Sequence, residues 1–185
     1  MKYKDIIKDI NNRIYQPIYF LWGAEPFFID SITDLLMDSV LSDSEKDFNQ
    51  TVLYGKDTDI YQVIELARRF PMMANQQLVV IKEAQELKNL KVLENYLENP
   101  VKSTILVLNY KYKKIDKRLK LYKLIPKHGL LFESKPVYDK QLGAWIDNYL
   151  ADKGCRIDAR ALMMLLENLG NNLNKIVNEL DKLII

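Results

Sequence analysis

The sequence predicts an α/β protein with a five-stranded, mostly parallel sheet, followed by a small domain of three helices. Up to residue 135, short apolar runs alternate with segments of helical periodicity. These runs are apolar almost throughout, which is typical of strands in a parallel sheet that helices cover on both faces. After Pro136 only the helical periodicity remains, and this change marks the predicted domain boundary.

Helices and strands alternate from the N-terminus onward. The predicted order is a helix that ends before Pro17, a strand at 18–22, a helix that ends in the polar segment 42–47, and a strand at 48–54. In both helices the apolar residues recur three and four positions apart, which gives each helix one face to bury. The second strand instead alternates and is rich in residues that favour strands.

The middle of the chain continues this alternation. Asp59 is a predicted N-cap for a helix that Pro71 ends. The residues that this helix should bury are Ile60, Val63, Ile64 and Ala67. The remaining predicted strands span 77–82, 104–109 and 129–134, and the predicted helices between them span 84–98 and 116–125.

The last fifty residues read as helices only. They are predicted at 139–154, from Asp158 to Leu169 and from Leu173 to the terminus. Gly154 ends the first of these helices and Gly170 ends the second. The last helix ends on an apolar stripe, whereas chain termini are commonly polar. We therefore expect this chain to be the N-terminal piece of a longer protein.

Composition narrows the function classes. The chain has 185 residues, 48% of them hydrophobic, and a formal net charge of +2. No apolar run is long enough to span a membrane, and the charged N-terminus is unlike a signal peptide, so we expect a cytoplasmic protein. The single cysteine, Cys155, and the single histidine, His128, provide neither an internal disulfide nor a zinc cluster. No metal or other cofactor is expected.

The turn after the first strand stands where nucleotide-binding folds carry their phosphate loop. A working loop needs a second glycine, a lysine and a hydroxyl in the spacing G-x-x-x-x-G-K-[ST]. Here Gly23 is followed by neither that glycine nor that lysine, Glu25 and Asp30 add negative charge, and Pro26 removes an amide donor. Asn109 ends a later strand where an acid should bind magnesium. We therefore predict no nucleotide site and no catalytic residues.

Several motifs occur together and in order along the chain. They include "YFLWGAEPFFID" near the start, "ARRFPMMANQQLVVIKEAQELK" in the middle and "LGNNLNKIVNELDKL" near the end. In these motifs the sequence closely resembles the delta subunit of the bacterial DNA polymerase III clamp loader. The resemblance implies a degenerate AAA+ module, with a RecA-like α/β domain at 1–136 and a helical lid domain at 137–185. The C-terminal collar domain of that family is absent from this chain.

The resemblance also implies a function. Delta subunits bind the sliding clamp, the beta subunit of DNA polymerase III, and favour its open form for loading onto primed DNA, without hydrolysing ATP themselves. The other implied partners are the gamma/tau and delta prime subunits, reached through the collar domain, and primer-template DNA within the complex. The subunit would thus be no enzyme by its own chemistry, although the holoenzyme is a DNA-directed DNA polymerase.

The stretch "RFPMMANQQ" corresponds to the element with which the family grips the clamp. The resemblance places Met72 and Met73 at its two anchor positions, flanked by Phe70 and Pro71. Pro71 alone predicts a helix end and an extended Phe70, and methionine side chains adapt readily to a partner's pocket. The alternative is that both methionines fill gaps beneath the third strand. The glutamines at 76 and 77 are assigned no role.

The segment 102–127 is strongly basic, with nine Lys and Arg residues and one acid. Tyrosines are interleaved with them, and such a mixture can bind phosphates and stack on bases. The candidate DNA contacts are Lys113, Lys114 and Lys117. The alternative is an ordinary solvated face. A stand-alone, sequence-independent DNA-binding protein is therefore the second function that the sequence leaves open.

Overall fold

The computed structural model describes residues 1–184. The chain divides into two compact units, Met1–Lys135 and Pro136–Ile185. The first unit contains the sheet with its helices, and the described part of the second is helical.

The sheet of the first unit has five strands in the order β2-β3-β4-β1-β5. The strands are β1 (Ile18–Gly23), β2 (Gln50–Tyr54), β3 (Gln77–Lys82), β4 (Thr104–Lys111) and β5 (Leu130–Ser134). Every pair of neighbouring strands is parallel. All strands therefore end at one edge of the sheet, where Gly23 is level with Lys111 on one side and Ser134 on the other. The predicted five-stranded α/β class is confirmed.

Six helices accompany this sheet. They are α1 (Tyr3–Asn11), α2 (Pro26–Ser39), α3 (Asp43–Asn49), α4 (Ile60–Arg68), α5 (Leu93–Leu97) and α6 (Lys120–His128). The predicted start of α4 is confirmed, since the Asp59 carboxylate accepts hydrogen bonds from the N–H groups of Tyr61 and Gln62. The four apolar residues predicted to face inward from α4 are all buried.

The hydrophobic core lies on the central strands. Strands β1, β3 and β4 are buried along nearly their whole length, which explains why their sequences are continuously apolar rather than alternating. The β2 strand is only partly buried, and it is the one predicted strand whose apolar residues alternate with polar ones.

The structure corrects the segment 42–54. Residues predicted as a polar helix end followed by a strand from position 48 instead form α3, and β2 begins only at Gln50. The Glu45 carboxylate accepts bonds from both the N–H and the hydroxyl of Ser42, and Lys46 pairs with Asp43. The spacing S-x-x-E is a known helix-start signal, so the sequence did contain the information.

The predicted helix at 84–98 is also wrong. Two 3-10 turns, Ala84–Glu86 and Leu90–Val92, precede the short α5, and the residues before the turns, Glu83 and Asn89, have left-handed backbones. The Gln85 side chain accepts a bond from the main chain of β4 at Lys111. Tertiary contacts therefore override the helical spacing of the leucines, although those leucines still pack inward.

The predicted helix at 116–125 begins later than expected. Asp116 accepts a bond from the N–H of Arg118 and also binds its guanidinium group, which forms a local turn. Helix α6 then runs over Lys120–His128. Such a side-chain to main-chain bond offers the backbone an alternative to helix.

The second unit contains α7 (Asp139–Asp152), α8 (Ala159–Leu169) and α9 (Leu173–Ile184). The predicted cap of α8 is confirmed, with the Asp158 carboxylate accepting from two main-chain N–H groups. Helices α7 and α9 are joined by Asp181, which binds the Tyr149 hydroxyl and Lys153. The predicted last helical residue, Ile185, lies outside the described residues.

Candidate functional site

The turn after β1 is packed tightly against the end of β5. Gly23 has φ +140°, and a Cβ atom at this position would lie 2.0 Å from the carbonyl oxygen of Ser134. The Ser134 hydroxyl in turn donates to the carbonyl of Glu25 at 2.6 Å. The glycine is therefore required by the approach of two strands, whether or not a phosphate is bound.

The start of α2 is occupied by the chain's own carboxylate. Glu25 is the N-cap residue and accepts from the N–H of Phe27 at 3.0 Å, and Pro26 is the first helical residue. Partial burial raises the pKa of Glu25, and the hydrogen bond from Phe27 opposes this shift. An anion at this helix start would thus be repelled by the Glu25 carboxylate. It would also find one N–H donor fewer than at an ordinary helix start, because Pro26 has none.

An ion pair lies beside this turn at the end of β4. The Lys111 ammonium is 2.7 Å from Oδ1 of Asp30 and 3.7 Å from Oε1 of Glu83, and the lysine side chain is only 12% exposed. Burial lowers the pKa of Lys111, but the two carboxylates outweigh that effect and the net pKa is raised. This lysine is therefore neutralised by the chain itself.

Asn109 is fully buried between β4 and α2. Its side-chain oxygen is 2.9 Å from the Thr33 hydroxyl, which also reaches the carbonyl of Ile29. The amide thus links strand and helix in the interior, so it is not placed to receive a solvated metal ion. Within residues 1–184, no group of three or more His, Cys, Asp or Glu side chains is arranged to hold a metal.

The loop Phe70–Met73, here called the 70–73 loop, is the most exposed apolar segment of the first unit. Phe70 is 81% exposed and Met72 is 62% exposed, while Met73 is as exposed as an isolated residue. The alternative in which both methionines fill gaps beneath β3 therefore does not hold. The structure brings the three apolar residues together on one loop, with Pro71 partly buried between them.

Two buried polar side chains fasten this loop. Asn49, the last residue of α3, accepts from the N–H of Met72 at 2.7 Å and donates to the carbonyl of the same residue at 2.9 Å. Gln77 donates to the carbonyls of Leu66 and Arg69 near the end of α4. The loop is thus tied at its centre and at its start, while its apolar side chains remain in solvent.

Helix α3 adds an apolar residue beside the loop. Phe48 is 70% exposed and, with Met72 and Met73, lines a groove of about 290 Å³ that Ser44 and Glu45 complete. We did not anticipate Phe48, Asn49 or Gln77 from the sequence. The helix-start signal of α3 would have placed the first two; the role of Gln77 depends on distant carbonyls and has no sequence signal that we can identify.

Four of the nine basic residues in the segment 102–127 form ion pairs with acidic residues of the described chain. Lys113 lies 2.9 Å from Glu86, Lys120 lies 2.6 Å from Glu98, and Lys111 is paired as described above. The ammonium of Lys117 lies over the ring of Trp22, 5.6 Å from its centroid, and also over Tyr122.

Of the three candidate DNA contacts, Lys114 is exposed and has no ion pair within the described part of the chain. The ion pairs of Lys111, Lys113 and Lys120 reduce the positive charge that the segment presents to a polyanion such as DNA.

No helix within residues 1–184 is long and apolar enough to cross a membrane. The chain is thus a parallel α/β protein with two particular features. The Glu25 carboxylate caps the helix that follows the first strand, where a phosphate loop would bind its anion, and the apolar 70–73 loop is exposed to solvent. The family model "DNA polymerase III, delta subunit" matches residues 19–135, and the chain belongs to this family. The resemblance inferred from the motifs is thereby confirmed.

One sequence and one solved structure from Bacillus subtilis are similar to this chain. The chain is 28% identical to DNA polymerase III subunit delta of Bacillus subtilis (strain 168), covering 97% of this chain and 54% of that protein. It superposes on the structure of the B. subtilis DNA clamp loader delta protein (YqeN) with a TM-score of 0.81 and 26% identity, covering 99% of this chain and 57% of the other. The chain thus spans about half the length of these relatives.

A more distant structure shares the fold alone. A DNA polymerase III gamma subunit-related protein from Thermotoga maritima matches with a TM-score of 0.50 and 12% identity, covering 96% of this chain and 57% of that one.

Proposed function

We propose that this chain is a clamp-loader subunit that binds the sliding clamp of DNA polymerase III and favours its open form for loading onto primed DNA. The observation that carries the proposal is the 70–73 loop, an exposed apolar element that is fixed by two hydrogen bonds from the buried side chain of Asn49. In a delta-family protein, such an element is well suited to insert into a pocket of the clamp.

The energetics support an anchor of this kind. Complete burial of a methionine side chain contributes about 1.5–3 kcal/mol, so Met72 and Met73 together can supply a large part of the binding free energy. Phe48 lines the same groove as these methionines, where it can exclude water from the contact, and the exposed Phe70 precedes them on the loop. A preference for the open clamp would require that this surface bind the open form more tightly than the closed form.

We further propose that the chain hydrolyses no ATP. Its α/β domain, residues 1–136, would be a degenerate AAA+ module, and residues 137–185 its lid. The Glu25 cap and the Asp30–Lys111 pair support this proposal, because both occupy the surroundings of the phosphate-loop position. Contacts with the gamma/tau and delta prime subunits would be made by a collar domain, and the assembly would act in the cytoplasm.

Calorimetry with the cognate clamp tests the binding proposal. The double variant M72A/M73A should lose most of its affinity while keeping its helical circular-dichroism signal. The matched control is M163A/M164A, which removes another adjacent pair of exposed methionines, 62% and 56% exposed, from α8. Undiminished binding by M72A/M73A, or equal losses in the two double variants, would contradict the assignment.

Nucleotide binding is tested separately. We expect titration of the chain with Mg-ATP to give no heat of binding and no change in melting temperature. A micromolar dissociation constant for ATP would refute the proposed loss of the nucleotide site.

The alternative function, DNA binding through residues 102–127, is less favoured, because Lys113 and Lys117 already have partners. Of the three candidate contacts, Lys114 would be the one that no ion pair or aromatic ring within residues 1–184 holds. Salt-dependent binding of primed DNA by the isolated chain, lost in K114A, would support this alternative instead.

A further inference from the structure

The side chain of Asn49 bonds both the N–H and the carbonyl of one residue of the loop, as a neighbouring strand would in a sheet. Its oxygen accepts from the N–H of Met72 at 2.7 Å, and its NH₂ group donates to the carbonyl of Met72 at 2.9 Å. The same NH₂ group also donates to the carbonyl of Glu45 at 3.1 Å. Asn49 is 4% exposed, so its side chain makes these bonds from a buried position.

The residue that Asn49 holds is itself a proposed anchor. Met72 is fixed through its main chain, which leaves its side chain free to project into solvent. The two residues are 23 positions apart, so this contact is a tertiary link between α3 and the 70–73 loop rather than a local turn.

We propose that Asn49 is a positioning residue for clamp binding, which holds the 70–73 loop in its binding conformation before the clamp arrives. This inference rests on the proposed function. Loops that are ordered in advance bind more tightly, because less conformational entropy is lost when the complex forms. Asn49 would therefore increase affinity without touching the partner.

Asparagine is the residue type that this position requires. It offers an acceptor and two donor hydrogens on one short side chain, and all three are used here. Aspartate would keep the acceptor for the Met72 N–H but would direct a second oxygen at the carbonyls of Met72 and Glu45. A carboxylate at this buried position is repelled by both carbonyls, so N49D should lose at least as much of the effect as N49A.

The experiment measures clamp affinity of the whole chain by calorimetry. We expect N49A to weaken binding about tenfold, which corresponds to about 1.4 kcal/mol. Asn148 in α7, an exposed asparagine whose side chain also donates to the carbonyl four residues earlier, at Ala144, provides the matched control, and N148A should bind like the wild type. Wild-type affinity of N49A would overturn the inference, even where M72A/M73A loses binding and the proposed function stands.

A mutant cycle separates positioning from a general loss of stability. If Asn49 acts through the loop, then adding N49A to M72A/M73A should cause no further loss of affinity. A tenfold additional loss would show that Asn49 acts elsewhere and would also overturn the inference.

Amide hydrogen exchange tests the same idea without any clamp. The Met72 N–H should exchange at least tenfold faster in N49A than in the wild type, and N148A should leave its rate unchanged. If N49A fails to fold, N49S provides the same comparison, because the hydroxyl of the shorter serine side chain cannot bond both the N–H and the carbonyl of Met72. Unchanged exchange at Met72 would overturn the inference, whereas absence of clamp binding by the wild type would contradict only the proposed function.

Discussion

At the scale of single residues, Met73 combines two unusual properties. Its side chain is fully exposed, and its backbone has φ +52°, in the left-handed region that residues with a Cβ atom usually avoid. That conformation costs about 1 kcal/mol or more relative to the right-handed one. A strained, exposed methionine contributes little to folding, which is consistent with a role in binding.

The variant M73G tests the exposed side chain of Met73 separately from its strained backbone. Glycine adopts positive φ without strain, which stabilises the folded state, but it also makes the unfolded chain more flexible, which destabilises the folded state. Because these effects oppose each other, M73G should change the free energy of unfolding by less than about 1 kcal/mol. Its affinity for the clamp should nevertheless fall about tenfold, since the anchor side chain is gone. Urea unfolding and calorimetry check the two parts, and clamp binding at the wild-type level would exclude Met73 as an anchor.

Glu25 should give the first unit a recognisable pH dependence. Burial raises its pKa, so the folded state holds the proton more tightly than the unfolded state does. That stabilising contribution is present below the ordinary pKa of a glutamate and is lost as the pH rises through the raised value.

The variant E25Q cannot titrate but can still cap α2. Relative to E25Q, the wild type should therefore lose stability between about pH 4 and about pH 7. Urea unfolding of both proteins at the two pH values measures this difference. A difference that is constant, or that grows in favour of the wild type, would contradict the assignment.

At the scale of elements, the fold class and the apolar 70–73 loop after α4 were both predictable, but the connection 84–98 was not. The strands were found because continuous apolar runs reflect burial on both faces, and α4 because its cap and its apolar spacing agree. The segment 84–98 has helical spacing but is bent by contacts with β4, which no local pattern encodes. The same holds for the bonds from Asn49 and Gln77, whose partners are distant in sequence.

Gln77 should stabilise the end of α4. Its side-chain nitrogen donates to the carbonyls of Leu66 and Arg69 and also contacts the Thr104 hydroxyl. The variant Q77L leaves these buried acceptors without a donor, which should cost about 1–3 kcal/mol in urea unfolding. The neighbouring variant Q76A is the control and should change stability by less than about 0.5 kcal/mol. Equal effects of the two variants would argue against this role.

At the scale of the whole molecule, the proposed binding surface and the family match lie in the same unit. The match covers residues 19–135, and both the sheet and the 70–73 loop belong to Met1–Lys135. The hydrogen bonds that fasten the loop come from α3 and β3 of that unit. Clamp binding should therefore require nothing from the second unit.

A shortened chain of residues 1–135 tests this division. It should unfold cooperatively, because it contains the complete sheet with its covering helices, and it should bind the clamp within about threefold of the affinity of the whole chain. Circular dichroism during thermal unfolding and calorimetry provide the two readouts. A folded fragment that fails to bind would assign part of the interface to residues beyond 135.

The Lys117 ammonium covers the ring of Trp22, and the position of this tryptophan has a practical consequence. The chain has two tryptophans, and they are divided between the units, with Trp22 buried under Lys117 in the first and Trp145 stacked on Tyr149 in the second. Replacing Trp145 by phenylalanine would leave one indole as an intrinsic fluorophore. Its emission would then follow the opening of the sheet domain alone, without any attached dye.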